Sequence, residues 1–554
     1  MRTAHPSSKS QFVLSEVTKR YDDHVVFDRT SVSIRPGDKV GVIGENGSGK
    51  STLLRLIAGA EVPDNGSAAV VAPGGVGYLS QTLDLPPDAT VQDAIDLALA
   101  DLRDLQARMA RAEAALGTAT PAELAGYGEL VERFEARGGY EADTRVEIAR
   151  RALGVPDLAR DRALGTLSGG EKSRLMLAAT LAASPELLLL DEPTNDLDDE
   201  AAHWLEEHLR RHRGTVVAVT HDRAFLDRVT SAVIEVDHDA RTVRRYGNGY
   251  TGYLAAKAAA RERHRHEYEA WREDVRRHET LADTNIDRLS AIPRKAPSAF
   301  SGAGAFRARS RSHGAMSRIR AARQRLRELG DDPVPPPPEP LRFAARPSTS
   351  GAGDARRDGP VAELTGVHVP GRLHVESLRI DAGRRILVTG PNGSGKTTLM
   401  RVLAGELTPA AGSVRRPPRV GYLRQDGGAA TGDERSLLCA FAEGRPGDPE
   451  EHAETLLSLG LFKAEDLVKG VRTLSAGQRR RLELARLVSG QADLVLLDEP
   501  TNHLSPLLVD EMEEALAGYT GALVVVTHDR RMRASFEGRR LELREGTVRE
   551  PVAA

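Results

Sequence analysis

Two octapeptides carry the residue types needed to hold phosphate, GENGSGKS at 44–51 and GPNGSGKT at 390–397. In each, glycines let backbone N–H groups close around a phosphate, and a lysine (Lys50, Lys396) neutralises its charge. A hydroxyl (Ser51, Thr397) is placed to reach Mg²⁺. Gly44, Asn46, Gly47 and Gly49, with Thr52 beyond, make the first cradle; Gly390, Asn392, Gly393 and Gly395, with Thr398 beyond, make the second. Each is followed by an apolar run ending in two acids, LLLLDEP (187–193) and LVLLDEP (494–500). Asp191 and Asp498 suit a cation held through water, and Glu192 and Glu499 suit polarising a nucleophilic water. Gln81 and Gln425 close VGYLS and VGYLR, where a strand-end glutamine can reach the cation or the attacking water. His221 and His528 end VVAVTHD and VVVTHD, within reach of a γ-phosphate. LSGGE (167–171) and LSAGQ (474–478) open helices with small residues and a serine, a second kind of anion-binding end.

These groups need a scaffold. KVGVIG (39–44) reads as a buried strand that enters the first loop, and TLLRLIAG after it has helical spacing. Residues 12–35 alternate in short runs, a β-meander with Tyr21 in the turn after its first strand. Strands and helices alternate, with the phosphate chemistry at strand C-termini. That is an α/β fold with a parallel sheet, present twice. The same five motifs recur in the same order in each half, so the chain is an internal duplication.

The 554 residues suffice for about three or four domains. The net charge is -3, and Cys439 is the single cysteine, so no intramolecular disulfide forms. No apolar run approaches the roughly 18 residues of a membrane span, and the first residues lack the apolar core of a signal peptide. A cytoplasmic protein is expected.

Between the halves lies a stretch without phosphate chemistry. Tyr268, Trp271, Val275 and His278, then Met316, Ile319, Arg323 and Leu326, recur at steps of three and four, predicting a helix, a loop of about 25 residues and a helix. Pro293, Pro297, Gly302, Gly304 and Gly314 are assigned to the loop. Residues 291–329 hold ten Arg or Lys and one acid, Glu328, a probe for a polyanion. The boundaries read as a first domain over 10–250, a hairpin over 251–332, a Pro/Gly-rich connector over 333–360 acting as a spacer, and a second domain over 361–550.

The motif set resembles the nucleotide-binding domain of the ABC ATPases: Walker A, Q-loop, signature, Walker B, D-loop and H-switch. Two such domains on one chain around a helical hairpin resemble the ABC-F family, and the hairpin sequence resembles its actinobacterial antibiotic-resistance members. The resemblance implies two tandem ABC-type domains, two ATP sites with Mg²⁺, and hydrolysis to ADP and phosphate. The sites would be shared across the halves. Site one would join Lys50, Ser51, Gln81, Asp191, Glu192 and His221 to Ser475, Gly477 and Gln478. Site two would join Lys396, Thr397, Gln425, Asp498, Glu499 and His528 to Ser168, Gly169, Gly170 and Glu171. Tyr21 resembles the aromatic that stacks on adenine; the second half has Val367 or His368 near that place. The second half also has Ala476 for Gly169, Gln478 for Glu171 and Ser505 for Asp198. Both glutamates are kept, which implies two hydrolytic sites with room for unequal rates.

Gln81 to Leu167 spans 86 residues and Gln425 to Leu474 spans 49, an excess of 37 in the first half. It falls in charged helices at about 95–140, where ABC-F proteins carry an inserted arm. The resemblance further implies a monomer with paired domains and no membrane partner. It would bind the 70S ribosome at the tRNA exit site, and its hairpin would reach the P-site tRNA, 23S rRNA and the peptidyl-transferase centre. Arg294, Lys295, Arg307, Arg309 and Arg311 would contact RNA, Phe300 and Phe306 would stack, and 299–306 would be the tip. Macrolides and lincosamides are the drugs implied. A housekeeping ABC-F translation factor and the ATPase subunit of a drug exporter are the competing expectations.

Overall fold

The computed structural model describes residues 11–22, 24–45, 47–80, 85–238, 240–290, 303–337, 341, 343, 360–391, 393–425, 434–501 and 504–549; for 284–290 and 303–315 it describes the backbone alone. The chain divides into two compact units. One comprises Met1–Leu254, Pro340–His452 and Glu465–Ala554, and so holds both repeated halves; the other comprises Ala255–Glu339 with Ala453–Ala464.

In the first half, strands Phe12–Tyr21 and His24–Ile34 pair antiparallel, and Asn65–Val70 adds to the other edge of Phe12–Tyr21. Tyr21 is the last residue of its strand, opposite His24, and not in the turn. A six-stranded sheet follows in the order Val76–Leu79, Leu187–Asp191, Thr215–Val219, Lys39–Gly44, Ala232–Asp237, Thr242–Gly247. Its first five strands run parallel and the last antiparallel. Leu187–Asp191 and Thr215–Val219 are buried at every position, so both faces of the sheet are covered and their sequences do not alternate. The register sets Asp191 beside Val219, and Val42 beside the same Val219. The C-terminal ends of the strands therefore deliver the phosphate loop, the paired acids and the histidine turn to one edge.

The second half repeats this plan in a single nine-stranded sheet. Arg385–Thr389 is flanked by Ala522–Val526 and Arg539–Arg544, with Leu494–Asp498 and Val420–Leu423 beyond. The C-terminal strand Thr547–Arg549 bridges to Leu373–Ile380 through His374 and Thr547, joining the antiparallel part to the parallel part.

The extra residues of the first half form helices Ala100–Ala114 and Pro121–Ala136. Thr90 and Thr120 each close a capping box, with Asp93 and Glu123, which fixes where the helices Val91–Ala98 and Pro121–Ala136 begin. Leu102, Leu105, Met109 and Phe134 bury their apolar faces with Val146 and Leu175. Arg103 pairs with Asp96 and Asp143 across this bundle.

The interdomain helices are Gly249–Ser290 and Ala303–Asp331. The second begins earlier than its glycines suggest. Gly304 and Gly314, and residues 303–306 of the expected tip, lie inside it. A helical glycine costs about 1 kcal/mol against alanine, and the Ala- and Arg-rich neighbours of these two outweigh that. Tyr268, Trp271, Val275 and His278 do form the inward stripe of the first helix, with Ala282. On the second helix the stripe is Ile319, Ala322, Leu326 and Leu329, whereas Met316 and Arg323 are exposed. Alanine at 322 is small enough to admit the facing helix, and an arginine at 323 is better solvated outside. Trp271 Nε1 donates to the Leu329 carbonyl at 3.1 Å, and Arg325 meets Asp274 at 3.3 Å.

Of the connector expected to be only a spacer, Leu341 and Phe343 are buried, and Phe343 lies edge-to-face on Tyr519 of the second half with ring centroids 6.3 Å apart. Among the described residues no helix is long and apolar enough to cross a membrane.

Candidate functional site

The phosphate loops take the shape their glycines allow. Gly49 sits at φ +104, and a Cβ there would lie 2.4 Å from Val26 Cγ1. Gly395 repeats this at φ +100, with the Arg372 carbonyl at 2.5 Å. Gly49→Ala should therefore distort the loop and weaken ATP binding more than tenfold, read by titration of a fluorescent ATP analogue. Lys50 Nζ donates to the carbonyls of Gly44 and Glu45, both at 2.9 Å, and Lys396 to those of Gly390 at 2.7 Å and Pro391 at 3.0 Å. Both ammonium groups are buried, and burial lowers both pKa values. A buried lysine that donates to loop carbonyls beside the paired acids carries a charge suited to an anion. Ser48 Oγ and Ser394 Oγ are also buried in the loops with no hydrogen-bond partner among the described residues, a cost that a phosphate oxygen would remove. Helices Lys50–Ala58 and Lys396–Ala404 start at the loops, adding their N-terminal dipoles. Ser51 and Thr397 stand in their first turns, and Thr52 and Thr398 are buried one residue on.

The paired acids sit opposite the loops. Glu192 and Glu499 adopt φ 51 and 47, a left-handed backbone that a glutamate enters only under constraint. The same backbone recurs at the same place in both repeats, directly after the buried strand and beside the histidine turn. Burial pushes both carboxyls up to about 7, near the pH where a general base is most useful. Each lies 3.4 Å from its histidine, His221 Nε2 to Glu192 Oε1 and His528 Nε2 to Glu499 Oε1. The His528 backbone N–H donates to Glu499 Oε2 at 3.0 Å. Burial, then the Lys396 charge, lowers the His528 pKa. Asp191 and Asp498 are buried at the strand ends, and burial raises the Asp498 pKa. Asp498 Oδ1 is buried with no geometric hydrogen-bond partner among the described residues, Thr397 lies close to this carboxylate, and Tyr422 donates to Oδ2 at 3.4 Å. The Thr397 hydroxyl donates to Gln425 Oε1 at 3.2 Å. Hydroxyl, amide oxygen and unmet carboxylate oxygen are all hard donors, and this set fits Mg²⁺ with its water shell.

Each signature serine is an N-cap. Ser168 accepts from Glu171 N while Glu171 returns its carboxylate to Ser168 N at 2.7 Å; Ser475 and Gln478 repeat the exchange with an amide, at 2.9 Å. Gly169 and Gly170 start the first signature helix, and Gly477 is buried in the second. Arg481 of the second signature helix reaches Glu45 of the first phosphate loop at 2.8 Å. A cavity of about 170 Å³ between Gly44, Glu45, Ser505 and Pro506 lies on the same seam. Tyr21 is 39% exposed. Its hydroxyl donates to Glu61 at 2.5 Å and accepts from Arg55 at 3.2 Å, which fixes the ring at the mouth of the loop. Asn46, Gln81, Asn392, Arg294, Lys295 and Phe300 lie outside the described residues, as do the side chains of Phe306, Arg307, Arg309 and Arg311.

Several arginines escaped motif reading. Arg480, buried, donates to the carbonyls of Asp498 at 3.0 Å and Glu499 at 2.8 Å, clamping the strained turn from behind. The first half has Ser173 at this place. The run Arg479, Arg480, Arg481 was a visible signal, because three successive positions sweep about 200° round a helix, and on a helix packed against a sheet one of them turns inward. Arg223 and Arg530 follow the two histidine turns and reach across the halves. Only the shared HDR triplet hinted at them.

The ABC transporter family profile matches residues 27–195 and 373–502. The chain is 60% identical to the tylosin resistance ATP-binding protein TlrC of Streptomyces fradiae, over 99% of each chain. It is 33% identical to the energy-dependent translational throttle protein EttA of Mycobacterium tuberculosis, over 94% of this chain and 88% of that one. Among solved structures, the archaeal ribosome recycling factor aABCE1, in complex with ribosomal stalk protein aP1, shares the fold with a TM-score of 0.53 and 19% identity, covering 97% of this chain and 90% of that one. Two phosphate loops, two strained glutamates and these full-length matches place the chain in the ABC-F family, as an ATPase that binds ATP.

Proposed function

We propose that this ATPase associates with the ribosome and protects it from a macrolide-type antibiotic of the large subunit. The observation that carries the reading is the 60% identity, end to end, with a tylosin resistance protein. The relatives with translational names and the basic hairpin support it. Lys50, Ser51 and Thr52 hold one ATP, and Lys396, Thr397 and Thr398 the other. The Arg481–Glu45 contact supports a shared site one, completed by Ser475 and Gly477. Mg²⁺, when bound through Asp191 or Asp498 with the loop hydroxyls, supplies positive charge against the phosphates. Glu192 and Glu499 take the proton of the attacking water. The ATP-bound pair engages the ribosome at the tRNA exit site, and the hairpin points toward the P-site tRNA and the peptidyl-transferase centre. Arg294, Lys295, Arg307, Arg309 and Arg311 pair with RNA phosphates there, and Phe300 and Phe306 stack. Hydrolysis releases the protein, which works in the cytoplasm.

The test mixes 70S ribosomes, ATP and the Glu192→Gln/Glu499→Gln chain, with and without bound tylosin, and sediments them. Co-sedimentation that needs ATP, with drug release lost on deleting 299–306, is the expected result. Binding without drug release would indicate a translation factor akin to the throttle protein. Absence of binding would overturn the ribosomal reading and revive an exporter subunit.

A further inference from the structure

The two histidine turns carry the same triplet, His221-Asp222-Arg223 and His528-Asp529-Arg530. The triplets grip each other across the halves. Arg530 Nη2 is 2.6 Å from Asp222 Oδ2, and Arg223 Nη2 is 3.2 Å from Asp529 Oδ2. Each aspartate divides its oxygens in the same way. Asp222 Oδ1 accepts from Ala224 N and Phe225 N, and Asp529 Oδ1 from Met532 N, so one oxygen caps its own helix and the other holds the opposite arginine. Each arginine then reaches a helix of the opposite half, Arg223 to Glu513 on Pro506–Ala517 at 2.6 Å and Arg530 to Glu206 on Asp199–Arg211 at 2.5 Å. Glu206 and Glu513 stand at the same distance from Asp198 and Ser505, so the exchange follows the internal duplication. The Arg223 side chain is 0% exposed and Glu206 3%. In low dielectric such pairs hold a fixed geometry and are not screened by salt as surface pairs are.

We propose that this reciprocal Asp–Arg clasp couples the two hydrolytic sites. Asp222 and Asp529 directly follow His221 and His528, each 3.4 Å from its glutamate. Short, directional links thus run from Glu192 through one turn and the other to Glu499. A shift of one histidine as its site loads or loses a γ-phosphate pulls its aspartate, which pulls the arginine beside the other histidine. Asp222, Arg223, Asp529 and Arg530 act through the histidine turns and are positioning residues. The inference rests on the ATPase activity alone and is independent of any ribosomal role.

The experiment measures ATP turnover of the full chain against ATP concentration, with and without Glu499→Gln. With the clasp intact, the Hill coefficient should be about 1.5 to 2, and Glu499→Gln should leave under about a tenth of the turnover. In Asp222→Asn/Asp529→Asn the amide oxygens keep the helix caps but the charge pairs are lost. Its Hill coefficient should fall to about 1, and adding Glu499→Gln should leave about half of its own rate. Arg530→Lys, which keeps a cation, should retain part of the coupling. Independent sites in the wild type, or coupling unchanged in the double asparagine variant, would overturn the proposal. If that variant fails to fold, Asp222→Asn alone breaks one pair and gives the same reading.

Discussion

Replacing Glu192 and Glu499 together by glutamine should cut ATP turnover by about 10²–10⁴-fold, the usual contribution of a positioned base, while ATP binding persists. The lysines, the loop glycines and the helix N-termini of the two candidate phosphate loops are untouched. Phosphate release by stopped flow gives the first quantity, and nucleotide titration the second. The same carboxyls set the pH dependence. Both titrate at about 7, so in the free protein they are largely protonated below that pH and cannot accept a proton. kcat/KM for ATP should therefore fall by about tenfold for each pH unit below about 7. The stability effect has the opposite direction. The folded-state pKa lies above the ordinary 4.5, so the folded chain binds more protons than the unfolded chain in that interval. Stability falls as pH rises from 4.5 through about 7. Above that window the double glutamine variant should melt at a higher temperature than the wild type, and the difference should vanish below it.

The second large effect belongs to Arg480. Arg480→Ala removes two hydrogen bonds from a charged donor and leaves the carbonyls of Asp498 and Glu499 buried without them. A cost of about 2–4 kcal/mol is expected, concentrated in the second half. It should also free the constrained backbone of Glu499 and so misplace the carboxylate. Site-resolved kinetics separate this from a general loss of fold. In a Glu192→Gln background, where site two does the work, Arg480→Ala should abolish most of the remaining turnover. In a Glu499→Gln background it should remove far less. Equal losses in both backgrounds would show that the arginine supports the whole chain and not one turn.

Much of the fold was legible because the duplication doubled every signal. The apolar runs before Asp191 and Asp498 announced buried parallel strands, and the loops after 44 and 390 announced helix starts. What could not be read was set by tertiary packing. The φ of 51 at Glu192 and 47 at Glu499 follows from the backbone turning from strand to loop under a fixed sheet. Periodicity carries no trace of that. The exchange between Arg223 and Asp529 joins residues 306 apart in sequence, where local patterns say nothing. In the second interdomain helix the expected stripe included Arg323 and Met316, because any long side chain with an apolar stem fits a three-four repeat. Alanine is a weak hydrophobe, so Ala322 carries little signal in a three-four repeat, yet close approach of two helices favours small residues. Gly304 and Gly314 were read as breakers, whereas both are accommodated within one 29-residue helix.

The length of the interdomain helices has a mechanical consequence. Gly249–Ser290 has 42 residues, and at about 1.5 Å per residue it is a rod roughly 63 Å long. A rod of that length is a lever. A tilt of about 5° at its root displaces its far end by about 5 Å, close to one helical pitch. An angular change of that size within the rod thus becomes a movement as large as a nucleotide base at its end. Inserting one heptad would raise the gain of that lever in proportion without altering a single residue that touches ATP.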